Sequence, residues 1–277
     1  MVREPLDLDR LTHALVRDDS PWRQVDIHPE LGSTNAEALR HPRPWRVVLT
    51  EHQVAGRGRM KRDWHTPRGA AVTVSATVPA SEDAGPWGWV PLFTGIAVHD
   101  ALASVAGLRT TVKWPNDVLV PSDGDRKICG ILCELSPEQP LVVIGIGLNV
   151  DQARAELPVL TATSLRCAGV ADTESAVFRE ALILAICDAL AGLMGAWSVG
   201  GATFEAARER YRGLCASVGV PVRVVRPGQP DLVGLGSGID DEGRILVDTG
   251  LQTEPVAAGD VVHLRHADST DTTSLLS

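Results

Sequence analysis

The sequence predicts an α/β (α+β) fold: a mixed β-sheet flanked by helices, followed by a small β-barrel. Three observations predict it. Strand-like and helix-like patterns alternate from Trp22 to about Cys215, as expected of a sheet with covering helices. From Val218 to Arg265 there are only short strands separated by turn residues, which read as a barrel of about five strands. The 277 residues are 44% hydrophobic and 22% charged, enough for one large and one smaller unit without disulfide or metal staples.

Each element has its own reason. Leu6, Leu8, Leu11, Leu15 and Val16 give residues 6–18 the period of a short amphipathic helix. Trp22 to Ile27 reads as a strand. The stretch STNAEALR, Ser33 to Arg40, opens like a capped helix, with Ser33 and Thr34 at the start and Glu37 in the first turns. A Pro-rich loop precedes the strand Arg46 to Glu51. Gly56 to Trp64 shows no period and is expected to be a mobile loop. Ala70 to Val78 is rich in β-branched residues and extended. Trp89 to Val105 is apolar on most sides, the pattern of a buried helix. Thr110 to Trp114 is a strand running into the turn Pro115 to Asp117. Val118 to Val120 and Lys127 to Leu135 form hairpin arms around PSDGDR, and Leu141 to Asn149 is a buried strand. Ser175 to Trp197 and Ala202 to Leu214 are helical. The barrel strands are VPVRVV, DLVGLGSGI, RILVDT, TEPV and VVHLR. The expected division is residues 1–215, 216–266 and a disordered tail at 267–277.

Charge and cysteine usage narrow the function. Twenty-six basic against 35 acidic residues give −9, so no global basic footprint for DNA or RNA exists. Only 32 residues precede Ser33, too few for a separate DNA-binding module, which needs roughly 50. The five cysteines, at 129, 133, 167, 187 and 215, are odd in number and mostly lie in apolar runs, so reduced thiols in a cytoplasmic protein are expected. Cys129 and Cys133 lack a second pair for a zinc site and read as core thiols. The charged N-terminus is no signal peptide, and no uninterrupted run approaches 18 apolar residues, so no membrane span is expected.

Three clusters can carry chemistry. GRGRMKRDW, Gly56 to Trp64, combines glycines, which let backbone N–H groups approach an anion, with Arg57, Arg59, Lys61 and Arg62, whose charges suit phosphate, and an aromatic able to stack on a base. A solvated basic loop is the alternative. In KWPND, Lys113 to Asp117, the residues either form a turn around a core Trp114 or present Lys113 and Asn116 to a ligand. In KICGILCE, Lys127 stands at a strand's edge, as a ligand group or a surface gatekeeper. There is no P-loop, no dinucleotide fingerprint (GIGLN lacks the third glycine), no HExxH and no GxSxG elbow.

Taken in order, GSTNAEA, EHQVAGRGR with its later Trp, KWPNDVLV, KICGIL and GIGLNV resemble the biotin–protein ligases, and IDDEGRILVD and AAGDVVHLR resemble their C-terminal barrel. The likeness runs from about Trp22 to Arg265 and is to the monofunctional group, which lacks an N-terminal DNA-binding domain. It implies a class II aminoacyl-tRNA synthetase/biotin ligase-like catalytic core with an SH3-like barrel. It further implies synthesis of biotinyl-5′-AMP from biotin, ATP and Mg²⁺, then transfer of biotin to a lysine of a biotin carboxyl carrier domain of an acyl-CoA or pyruvate carboxylase. No DNA or membrane partner is implied, and either a monomer or a ligand-linked homodimer fits. Lipoate ligation, octanoyl transfer, a biotin-dependent repressor and a non-catalytic biotin-binding module are the rival readings.

Carried over residue by residue, the resemblance implies biotin contacts from Ser33, Thr34, Asn35, Gln53, Arg57, Gly58, Arg59 and Lys127. It implies nucleotide contacts from Arg57, Arg59, Trp64, Lys113, Asn116, Lys127 and Asn149, with Arg57, Arg59, Lys113 and Lys127 as the catalytic cations. The metal ligands stay open. Met60 and Lys61 stand where the family's commonest loop has Arg-Gly.

Overall fold

The computed structural model describes residues 3–264 except Glu82 and Pro227, and for Lys61 the backbone only. The tail expected at 267–277 lies outside the described residues.

β-branched runs form the main sheet. Its strands are β1 (Gln24–His28), β2 (Arg46–Thr50), β5 (Ala71–Pro79), β6 (Thr111–Lys113), β7 (Asp117–Val120), β8 (Arg126–Leu135) and β9 (Leu141–Asn149). Their order is β1-β2-β5-β9-β8-β7-β6. β1 and β2 run parallel and every other pair is antiparallel, so the sheet is mixed as expected. The central strands β5 and β9 are buried along nearly their whole length, which explains their unbroken apolar composition.

Helices cover both faces. α1 (Leu8–Leu15) is capped by the Asp7 side chain and buries Leu11 and Leu15. α2 (Thr34–Arg40) packs Ala38 against Val48 and Val143. On the face opposite α2, together with α1, lie α3 (Trp89–Ala106), α4 (Ala176–Val199) and α5 (Gly201–Leu214). α3 and α4 are long and apolar enough to cross a bilayer by length and mean composition, although Asp100, Arg179, Glu180 and Asp188 interrupt their apolar runs as the sequence count had it. Both helices bury apolar side chains in one core, with Phe93, Ile96, Ile183 and Ile186 fully enclosed.

The Gly56 to Trp64 segment is more ordered than its lack of period suggested. β3 (Gly56–Arg57) pairs antiparallel with β4 (Asp63–Trp64). A tight turn, Arg59–Lys61, joins them, with Met60 in the left-handed region at φ 55°. Two-residue strands are too short to show a period. We call this hairpin the flap.

The C-terminal strands β10 (Pro221–Val225), β11 (Leu232–Ile239), β12 (Ile245–Asp248), β13 (Thr253–Val256) and β14 (Asp260–His263) form one antiparallel five-stranded sheet. Their order is β13-β12-β11-β10-β14. The β11–β12 turn is keyed into the first part of the chain: Trp89 Nε1 donates to the Asp241 carbonyl (2.8 Å) and Trp114 Nε1 to the Gly243 carbonyl (2.9 Å). Trp114 is thus a core residue, as the turn reading of KWPND expected.

Candidate functional site

All twelve residues singled out in the sequence line one cleft of about 1050 Å³. The sheet forms its floor, the flap one wall and the β14 end of the barrel another.

The inner end is a buried polar cradle. Ser33 caps α2, its hydroxyl accepting from Ala36 N–H (3.4 Å). This places Thr34 and Asn35 in the first helical turn, both buried. Gln53 Oε1 accepts from Thr34 N–H at 2.9 Å. Asn35 Nδ2 donates to the Leu132 carbonyl (3.1 Å) and to Glu134 Oε2 (2.7 Å). Ser75 Oγ lies 2.7 Å from Thr34 Oγ1 and 2.6 Å from Asn35 Oδ1. A hydroxyl has one hydrogen and an amide oxygen only accepts, so Ser75 donates to Asn35 and accepts from Thr34. Ser75 is fully buried in β5, and sequence reasoning missed it because its neighbours mark the segment as plain core. Gly145 leaves room for this cradle, since a Cβ there would strike Asn35 Oδ1.

In the middle of the cleft Trp64 lies on the sheet. A Cβ on Gly147 would come within 2.5 Å of its ring, so glycine lets the indole rest on the strand. Lys127 Nζ stands 5.7 Å from the centre of the ring. Trp64 Nε1 is buried with no acceptor among the described residues.

The outer end gathers charge. Lys127 enters from β8, its backbone tied to Thr161 and Thr163 (both 2.8 Å), and pairs with Asp117 at 2.5 Å. Asp117, next in the KWPND motif, was not singled out in the sequence. Lys113 is half-buried at the end of β6. Burial pushes its ammonium below the usual lysine range, with Asp117 opposing that shift and Lys127 and Arg62 adding to it. Asn116 donates to the Ile131 carbonyl (2.8 Å) and accepts from Arg59 (3.3 Å). Arg59 also donates to the Gly259 carbonyl in the barrel (3.3 Å), and burial pulls its guanidinium below the usual arginine value. Arg62 is paired with Asp260. Arg57 is exposed beside Gly58, whose N–H donates to the Arg62 carbonyl (2.7 Å). Asn149 lines the cleft with its amide engaged by Thr163 and Gln152 (both 2.9 Å). Cations brought partly out of water at one end of a cleft suit a multiply charged anion.

Residues 33–151 match the Biotin/lipoate A/B protein ligase family, and residues 218–264 match the Biotin protein ligase C terminal domain. The chain is 38% identical to the biotin–[acetyl-CoA-carboxylase] ligase of Mycobacterium tuberculosis, over 95% of this chain and 98% of that one. The chain belongs to the biotin protein ligase family. The ligase of the same name from Paracoccus denitrificans is 32% identical over 81% of this chain and 95% of its own length. The fold matches that of a biotin protein ligase from Aquifex aeolicus solved with biotin and ATP: TM-score 0.73, 22% identity, 88% of this chain and 100% of that one. The family's architecture, a mixed sheet flanked by helices followed by a small β-barrel, is therefore the one described above, as the sequence predicted.

Proposed function

We propose that this chain activates biotin with MgATP as biotinyl-5′-AMP, releases pyrophosphate, and passes biotin to a lysine of a biotin carboxyl carrier domain. The observation that carries this reading is the cleft itself, with a buried donor–acceptor cradle at one end, Arg59, Lys113 and Lys127 around Asn116 and Asp117 at the other, and the exposed Arg57 on the flap. The cradle of Ser33, Thr34, Asn35 and Gln53 suits a ureido ring, which both donates and accepts. The apolar side chains of Ile131, Leu132 and Ile146 in the cleft lining suit an alkyl chain, at about 0.8 kcal/mol per buried methylene.

The biotin carboxylate attacks the α-phosphorus of ATP in line. Both are anions, and the four cations offset their repulsion where charge develops. Lys127, between Trp64 and Asp117, serves the carboxylate and the α-phosphate. Lys113 and Asn116 serve the phosphates, Trp64 the adenine, and Asn149 positions the Thr163 segment beside Lys127. Mg²⁺ would arrive as part of MgATP: among the described residues no three carboxylate, His or Cys side chains converge, and this ion usually keeps several waters and is held through substrate phosphates with one or two carboxylates. In the second half-reaction the carrier lysine attacks the mixed anhydride, while the flap, with Gly58 at its bend, keeps water away.

The reading divides the chain near residue 215 into a catalytic unit and a barrel, and takes acyl-CoA or pyruvate carboxylase carrier domains as partners in the cytoplasm. It needs neither DNA nor a membrane, and it is compatible with a monomer or a ligand-linked homodimer. Biotin-dependent exchange of pyrophosphate into ATP, then labelling of a carrier domain, tests it. An enzyme inert in both assays would refute the reading.

Two further outcomes are expected. Ser75→Ala leaves Asn35 Oδ1 without its donor, at about 1 kcal/mol or more. Biotin affinity measured by calorimetry falls roughly fivefold or further, whereas kcat at saturating biotin changes little. For Lys113 the sign is fixed by its lowered pKa. The free enzyme gives up this proton earlier than ordinary lysine as pH rises, and an arriving polyphosphate draws it back. Nucleotide binding at alkaline pH is therefore coupled to proton uptake. Titrations in buffers of different ionisation enthalpy read it, and Lys113→Met removes it.

A further inference from the structure

Asn35 is buried, and both halves of its amide are engaged. Nδ2 donates to Glu134 Oε2 at 2.7 Å and to the Leu132 carbonyl at 3.1 Å. A carboxylate and a carbonyl only accept, so the NH2 must face them and Oδ1 must face Ser75, which donates to it at 2.6 Å. That spends the one Ser75 proton, and Thr34 gives its own to Ser75 at 2.7 Å. The protons of Thr34, Ser75 and Asn35 therefore all run one way, toward the Glu134 carboxylate. The side-chain oxygens of Thr34 and Asn35, two residues of the cleft lining, are left with lone pairs and no proton.

The same side chains have a second arrangement. Thr34 Oγ1 lies 3.3 Å from Gln53 Oε1. With the Asn35 amide turned over, Asn35 would donate to Ser75, Ser75 to Thr34 and Thr34 to Gln53. The cradle would then offer an N–H where it now offers an oxygen. Glu134 weights the choice. It lies half-buried on β8, outside the cleft lining, and no ion pair among the described residues claims its charge. A hydrogen bond to an ionised acceptor is roughly twice as strong as a neutral one, so the Glu134 contact outweighs the longer one at Gln53.

We infer that Glu134 is a positioning residue: acting through Asn35, it sets the cradle to accept from its ligand and so selects a ring that donates N–H. This rests on the ligase reading, in which that ring is the ureido ring of biotin. A site built to hydrogen-bond one ligand rejects an analogue that leaves its buried groups unpaired.

The experiment is calorimetry on the full chain with biotin and with its cyclic carbamate analogues, in which an oxygen replaces either ring N–H. The parent binds biotin at least about tenfold tighter than the weaker carbamate. Glu134→Gln keeps an acceptor oxygen and stays within about threefold of the parent for both ligands. Glu134→Leu binds biotin roughly tenfold more weakly and the carbamate no worse than the parent does, so the selectivity collapses. Its kcat for pyrophosphate exchange at saturating biotin is retained, because Glu134 touches none of the reacting groups. Glu134→Ala takes its place should thermal melting show the leucine variant unfolded. An unchanged selectivity ratio in the leucine or alanine variant, or a glutamine variant as impaired as either, overturns the inference and leaves the ligase reading standing. A parent that binds no biotin overturns the ligase reading itself.

Discussion

Lys127→Ala lowers biotin-dependent pyrophosphate exchange by roughly 10²- to 10³-fold, the effect of removing one preorganised donor worth about 3–4 kcal/mol in a transition state. The backbone of Lys127 is pinned to Thr161 and Thr163, so the side chain is lost without moving the strand. Its removal also leaves Asp117 unpaired beside the place where the phosphates gather, adding a repulsion where there had been an attraction. Calorimetry with biotin and then nucleotide shows biotin still binding and the acyl-adenylate bound far more weakly. Thermal melting checks that the fold persists. Parental exchange rates in the variant would remove Lys127 from the reaction.

Arg59→Gly has the second largest effect, and a different character. Arg59 joins Asn116 on the sheet side of the cleft to the Gly259 carbonyl in the barrel, holding the flap between them. A hydrogen bond from a charged group contributes about 1.5–3 kcal/mol. Losing this clasp speeds escape of the adenylate by roughly 10- to 100-fold while the chemistry at Lys127 and Lys113 continues. The expected signature is split: pyrophosphate exchange falls, but by less than in Lys127→Ala, carrier labelling is reduced, and lysines of an unrelated bystander protein become biotinylated. Bystander labelling no greater than the parent's sinks the clasp role.

Much of this was legible in the sequence because the responsible patterns are local. The cap at Ser33, the buried runs of Ala71–Pro79 and Leu141–Asn149 and the switch to short strands after Val218 each depend on neighbours within a few residues. The cleft residues were named through the resemblance of five short motifs to the biotin–protein ligases. What stayed hidden depends on distant partners. Ser75 sits in a run of β-branched residues, and only its meeting with Thr34 and Asn35, some 40 positions away, reveals its use. The flap's order comes from Gly259 and Asp260, about 200 residues downstream. Nothing in the sequence of β14 announced that it walls the cleft. The two long helices, Trp89–Ala106 and Ala176–Val199, were legible as helices from their apolar composition.

The two indole N–H groups that end on Asp241 and Gly243 bear on how mutations in this gene are tolerated. Trp89 and Trp114 are at most 2% exposed, and their acceptors are encoded more than a hundred codons later. A premature stop shortly after residue 215 does not yield a smaller working enzyme. It uncovers two indoles, and fully exposing a large apolar side chain costs about 1.5–3 kcal/mol, a large part of the 5–15 kcal/mol that keeps a typical protein folded.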